Sequence, residues 1–177
     1  FTLNSSMLPA SSGTVFVSYW DRKYSHTTQN LLKEKGYYAF SMHANNCTMW
    51  NRNNMYPSIG YDRFYCYTKD YTIDEEVGIG LSDKSFFNQS VDIIKDIDAT
   101  YDKYYGTLIM LTNHTPWNDI EKVNDFNVTM NYIDPETGEE KVAPYLEGTT
   151  MGDYLNRAKN IDKKVVAISC KIVYSRR

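Results

Sequence analysis

An α/β fold with a mainly parallel sheet is predicted by three features of the sequence. Strand-like and helix-like patterns alternate between Thr14 and Leu111. Tyr105–Leu111 (YGTLIML) is almost continuously apolar, as a strand covered on both faces is. Two of the three histidines, His43 and His114, directly follow predicted strands, the place where ligand sites form in parallel sheets.

The elements follow in order. Thr14–Tyr19 (TVFVSY) is β-branched and aromatic, which predicts a strand. Ser25–Lys35 (SHTTQNLLKEK) predicts a helix, with Ser25 or Thr27 as its cap and Gly36 as its stop. Tyr37–Met42 (YYAFSM) predicts a second strand, so the three together make a right-handed βαβ unit with parallel strands. Met49–Tyr56 is a short helix ended by Pro57, and Arg63–Tyr67 a short strand. In Ser85–Ile97 the apolar residues Phe86, Phe87, Val91, Ile94 and Ile97 fall at helical spacing, with Asp83 as the expected cap. Beyond Trp117 the pattern is less regular. A hairpin is expected around Asp134–Gly138, a helix from Met151 capped by Thr149 or Thr150, and a last strand at Val165–Ser169. No internal repeat interrupts the chain, and residues 1–177 are assigned to one domain.

Composition narrows the function classes. The hydrophobic share of 42% and charged share of 23% are those of a globular protein. A net charge of −3 gives no general attraction for nucleic acid or for an anionic membrane. No run reaches the roughly 20 apolar residues that cross a bilayer, and the start at Phe1 suggests a processed form or a fragment. Cys47, Cys66 and Cys170 are irregularly spaced, fit neither a disulfide framework nor a zinc site, and read as free thiols. Sixteen tyrosines are the outlier; such residues suit half-buried surfaces and carbohydrate-facing clefts alike.

The richest chemistry lies in His43–Arg52 (HANNCTMWNR). Arg52 offers a planar fork of donors that matches a phosphate or sulfate, Trp50 can pack on a glycerol or sugar face, and His43 can donate to a phosphoryl oxygen. Each also has an ordinary reading: a core aromatic, a surface ion-pair partner and a polar strand end. His114, in Thr112–Trp117 (TNHTPW), alone would be a capped turn residue, and His26 is read as structural. Asp70, Asp74, Glu75 and Glu76 form an acidic loop best explained by solvation. Metal-binding H-E-x-x-H, phosphate-cradling G-x-x-x-x-G-K-[ST] and nucleophilic G-x-S-x-G patterns are all absent. Chemistry alone therefore points to an anion-binding edge on an α/β sheet.

Three ordered segments, KEKGYYAFSMHANNCTMWNRNNMYPSIGYDRF, GIGLSDKSFFNQS and LIMLTNHTPW, resemble the extracellular domain of lipoteichoic acid synthases and related phosphoglycerol transferases, members of the sulfatase and alkaline phosphatase-like superfamily. The likeness runs from Phe1 to Trp117, with a looser echo through Gly148–Leu155; residues 156–177 are basic and divergent. The resemblance implies an α/β/α sandwich with a mainly parallel sheet, part of a catalytic domain on the outer face of the cell membrane. It implies a transferase that moves glycerol phosphate from phosphatidylglycerol to a growing polymer, using a divalent metal, manganese in this family. His43, Trp50 and Arg52 match the positions that contact glycerol phosphate, and His114 matches a further active-site histidine. The family's metal ligands and threonine nucleophile have no counterpart here: no Asp-His dipeptide occurs, and Thr2 lacks the glycine-rich setting of the nucleophile. The chain by itself is therefore expected to be inactive and to hold no metal tightly. A sulfatase- or phosphatase-like hydrolase and a non-catalytic polymer-binding module are the alternatives.

Overall fold

The computed structural model describes residues 1–117 and 128–159. Its center is a three-stranded parallel sheet of β1 (Tyr38–His43), β2 (Arg63–Cys66) and β3 (Tyr104–Ile109), in the order β2-β1-β3. β1 runs in register with both neighbours, so His43 faces Cys66 on one side and Ile109 on the other. Among the described residues of the first unit, three helices longer than four residues accompany the sheet: α1 (Thr28–Lys33), α2 (Arg52–Ser58) and α3 (Asp83–Thr100). The mixed α/β class and the parallel sheet are as the sequence predicts.

The chain separates into two compact units, residues 1–76 with 80–111, and residues 77–79 with 112–177. The first holds the sheet. Successive residues of β1 point to opposite faces, and all but Tyr38 are buried. Ala39 joins one cluster with Val15, Tyr24, Met55, Tyr56, Ile59 and Tyr61, against which Tyr105 and Ile109 pack. Phe40 points the other way and lies across from Gly106, where a β-carbon would stand 2.4 Å from its ring. That is why a strand carries glycine here: the aromatic ring occupies the space of the missing side chain. α3 buries Phe86, Phe87, Val91, Ile94 and Ile97, the helical stripe that the sequence shows.

Several local expectations are corrected. Thr14–Tyr19 is no strand: Val15–Ser18 makes one helical turn, with Val15 buried and Phe16 edge-on to Tyr56 at 5.7 Å. β-propensity here measured fitness for packing rather than a backbone preference, and the aromatic cluster took the side chains instead. The parallel βαβ connection is made later, between β1 and β2 through α2. α1 is shorter than predicted and is capped by Thr27, whose Oγ1 accepts from the Asn30 amide at 3.2 Å. Pro57 lies inside α2 rather than beyond it. Ser82, not Asp83, caps α3, accepting from the Ser85 amide at 3.1 Å. β3 stops at Ile109 and is half-buried, not covered on both faces.

The cysteines also differ from the expectation of free thiols. Cys47 and Cys66 form a disulfide with their α-carbons 5.2 Å apart. Their sequence spacing gave no framework pattern, but parallel pairing sets Cys66 opposite His43 and brings the loop after β1 to it. Cys170 lies outside the described residues.

In the second unit, Thr129–Ile133 and Glu140–Pro144 pair antiparallel around the turn expected at Asp134–Gly138. Helix residues 150–159 follow, and Thr149 Oγ1 accepts from the Gly152 amide at 3.1 Å, the predicted cap. Arg157 is fully buried and donates from Nη1 to the Thr112 carbonyl at 3.0 Å. The strand expected at Val165–Ser169 falls outside the described residues. Among the described residues no helix is long and apolar enough to cross a membrane.

Tyrosine richness serves the first unit's core: Tyr24, Tyr56, Tyr61, Tyr65 and Tyr71 are all buried. Tyr61 donates to Thr107 Oγ1 at 2.7 Å, and burial pushes its phenol up to about 12 from the ordinary 10. The unfolded chain therefore releases this proton first, so the fold keeps its stability below about pH 10 and loses it progressively toward pH 12. Urea denaturation across that window should show the decline, with a shallower slope in Tyr61→Phe; equal slopes would contradict it. Opening the disulfide should have a larger effect at neutral pH. For a loop of this length the expected loss is about 3 kcal/mol, read as a lower urea midpoint in Cys47→Ser or under reductant. An unchanged midpoint would show that the link constrains nothing.

Candidate functional site

Because β1 and its neighbours are parallel, the loops that leave their carboxyl ends emerge along one edge of the sheet. His43 is the last residue of β1. It is buried, and its Nδ1 lies 2.9 Å from the carbonyl of Ile109, the last residue of β3. A carbonyl only accepts, so Nδ1 carries the hydrogen. Nε2 then accepts in the neutral ring and donates in the imidazolium.

The segment Gly80–Asp83 fastens this edge. The Leu81 amide donates to the Ala44 carbonyl at 3.1 Å, and a β-carbon on Gly80 would stand 2.4 Å from that oxygen. Asp83, 1% exposed, accepts from the Leu111 amide at 2.8 Å. The loops after β1 and β3 are thus bonded to one short stretch. Leaving the buried Leu111 amide unpaired would cost about 1–3 kcal/mol. Gly80 carries no local signal in the sequence and Asp83 reads there as a cap; only the long-range contacts reveal their work.

Between the strand end and α2 the chain makes an unusual turn. Trp50 and Asn51 both take left-handed conformations, with φ of 54° and 58°. Side chains other than glycine rarely adopt these values, and such residues concentrate at functional sites. Asparagine side chains help to hold the turn: Asn51 Nδ2 donates to the Phe16 carbonyl at 2.8 Å, and Asn54 Nδ2 to Asn51 Oδ1 at 2.7 Å. The disulfide at Cys47 ties its root to the end of β2. Trp50 remains 50% exposed as a result. An indole that could have been a core aromatic is held outward.

Arg52 opens α2 and donates from Nη1 to the Met49 carbonyl at 3.1 Å. Among the described residues no carboxylate pairs with it, unlike Arg63, which is bound to Asp70 at 2.8 Å. One turn further along α2, burial raises the Tyr56 phenol while the neighbouring Arg52 guanidinium opposes the shift. The surface ion-pair reading of Arg52 finds no partner among the described residues.

His114 lies in the second unit, in an exposed turn before the cis Thr115–Pro116 bond. Its Nδ1 is 2.5 Å from the Thr115 carbonyl. The residue at the end of β3 is Ile109, five positions earlier than His114, so the predicted strand-end imidazole is displaced along the chain. His43, Trp50 and Arg52 share one loop of the first unit. Among the described residues no group of three or more His, Cys, Asp or Glu side chains is arranged to hold a metal ion. Among the described residues the donor set does not fit the metal that the family resemblance implies.

Known proteins resemble this chain along most of its length. The sulfatase family profile matches residues 3–170. Lipoteichoic acid synthase-like YvgJ of Bacillus subtilis (strain 168) is 37% identical over 123 residues, 69% of this chain and 19% of its own length. The lipoteichoic acid synthase of Staphylococcus aureus (strain USA300) is 30% identical over 178 aligned positions, 95% of this chain and 26% of its own. The chain therefore spans 19% to 26% of these relatives. The crystal structure of the lipoteichoic acid synthase LtaP from Listeria monocytogenes shares the fold, with a TM-score of 0.82 at 22% identity over 98% of this chain and 39% of that one. Streptococcus pyogenes phosphoglycerol transferase GacH, solved with sn-glycerol-1-phosphate, matches with a TM-score of 0.62 at 20% identity over 97% of this chain and 42% of that one. A parallel α/β sheet, matched by that profile over residues 3–170, places the chain in the sulfatase family, with lipoteichoic acid synthases among its relatives at 30% identity or more.

Proposed function

We propose that this chain supplies the substrate-phosphate pocket of a phosphoglycerol transferase, which passes glycerol phosphate from phosphatidylglycerol to a lipoteichoic acid-type polymer. The observation that carries this reading is Arg52: a guanidinium with no carboxylate partner among the described residues, beside an exposed Trp50 held in a left-handed turn. A forked guanidinium pairs two phosphoryl oxygens at once, which fixes orientation as well as charge. The Trp50 face packs against the glycerol carbons. His43 anchors the root of the loop through Ile109 and, as the family resemblance implies, takes part in the contact with glycerol phosphate. For His114, in the second unit, the support for a catalytic role is the family resemblance alone. The family's divalent cation, manganese by resemblance, would neutralise charge on the phosphoryl group; no step is assigned to it through this chain's residues.

The disulfide supports a place outside the cytosol, since such bonds persist in oxidising surroundings. This agrees with a parent protein anchored in the membrane with its catalytic domain on the extracellular face. The chain alone is proposed to be inactive, because it offers no nucleophile or metal set of the family's kind.

Titration of the chain with sn-glycerol-1-phosphate, followed by NMR, tests the pocket. Binding should be weak, with Kd of about 1 mM or above, and should move the Trp50 indole and Arg52 side-chain resonances. Arg52→Ala should remove the effect, and neutral glycerol should not reproduce it. Shifts that survive Arg52→Ala, or that appear only elsewhere, would overturn the assignment.

A further inference from the structure

At the opposite, amino-terminal end of the strands the first unit carries a groove of about 420 Å³ that the phosphate reading does not use. Its walls come from Tyr38 at the start of β1, Arg63 and Tyr65 of β2, and Asp96 and Tyr101 of α3 and its end, with Asp70 closing one side. We propose that this groove binds a neutral sugar unit. The inference stands independently of the phosphoglycerol reading.

Three observations select the ligand. First, the aromatic rings are prearranged. Tyr38 and Tyr101 stack at 4.0 Å with planes 2° apart, which leaves the outer face of Tyr101, 40% exposed, as a platform. Sugars present a flat array of C–H groups to such a face. Second, the charge is wrong for an anion. Arg63 is neutralised by Asp70 at 2.8 Å and lies over the Tyr65 ring at 4.4 Å, so Asp96 leaves the lining with an excess negative charge. Phosphate would be repelled here, in contrast to the loop at Arg52. Third, the lining mixes donors with acceptors. Arg63 donates, while Asp70, Asp96 and the Thr100 oxygen, whose own proton goes to the Asp96 carbonyl at 2.7 Å, accept. An ammonium group needs only acceptors; a sugar hydroxyl both donates and accepts, and matches the mixture. The volume suits one or two hexose rings, within the ordinary range of ligand pockets.

The test is NMR titration of the full chain with cellobiose, with cellotetraose and octyl β-glucoside as extended probes. Cellobiose should shift resonances of Tyr38, Tyr101 and Arg63 while leaving Trp50 unmoved. Tyr101→Ala should weaken binding about tenfold, the scale of one lost aromatic face. Asp96→Ala, at an exposed position outside the ring packing, should weaken it severalfold in a chain whose spectrum is otherwise unchanged. Tighter binding of cellotetraose would assign the groove to a polysaccharide, and tighter binding of octyl glucoside to a glycolipid headgroup; either supports the proposal. Absence of sugar-induced shifts in the groove, shifts there with tetramethylammonium or glycerol phosphate in place of sugar, or equal sugar binding by both variants would overturn it.

Discussion

Parallel pairing of β1 with both its neighbours is the constraint on which the candidate site depends. It forces every connection leaving a strand's carboxyl end to start along the same edge, where His43, Cys66 and Ile109 stand side by side. From this follow the bond of His43 to the Ile109 carbonyl and the reach of Cys47 to Cys66. The same edge is secured from above by Gly80–Asp83, whose bonds go to Ala44 and Leu111. The loop that bears Trp50 and Arg52 is therefore held at both its root and its middle. Such rigidity lowers the ordering cost of binding a small anion.

The two ends of the sheet differ in electrostatic character. At the carboxyl end, Arg52 has no carboxylate among the described residues to cancel it; at the amino end, Arg63 is cancelled by Asp70 and outnumbered once Asp96 is counted. The same residue type thus does opposite work in one unit. Arg63 reinforces an edge strand and its aromatic cover, whereas Arg52 donates to the Met49 carbonyl and pairs with no carboxylate among the described residues. Burial separates the tyrosines in the same way, with Tyr56 and Tyr61 packing the core and Tyr101 presenting a ring to solvent.

The fold class was legible in the sequence wherever the apolar pattern was strong, as a helical stripe or as a continuous run. The apolar stripe of α3 and the short apolar runs of β1 and β3 predicted the elements that the structure has, and with them the α/β class. Thr14–Tyr19 was misread because its β-branched residues are consumed by an aromatic cluster that no local window shows. Asp83 and Gly80 were opaque for the same reason: their partners lie 28 and 36 residues away in the chain. The disulfide depends on strand register, which spacing alone does not contain. Trp50 and Arg52 are candidate site residues on residue chemistry and family likeness. The left-handed turn that exposes the indole has no sequence signature, since neither Trp50 nor Asn51 is glycine.

The central claim is that the loop after β1 binds the phosphate of the transferred group. It is tested most directly in a chimera, with this chain replacing the corresponding segment of a full-length lipoteichoic acid synthase. Release of glycerol phosphate from a phosphatidylglycerol analogue is then measured with manganese present. The account predicts that Arg52→Ala lowers turnover roughly 10²–10³-fold, the scale of one lost transition-state donor, and that His43→Ala lowers it as well, with the fold intact by circular dichroism. Undiminished turnover in both variants would contradict it.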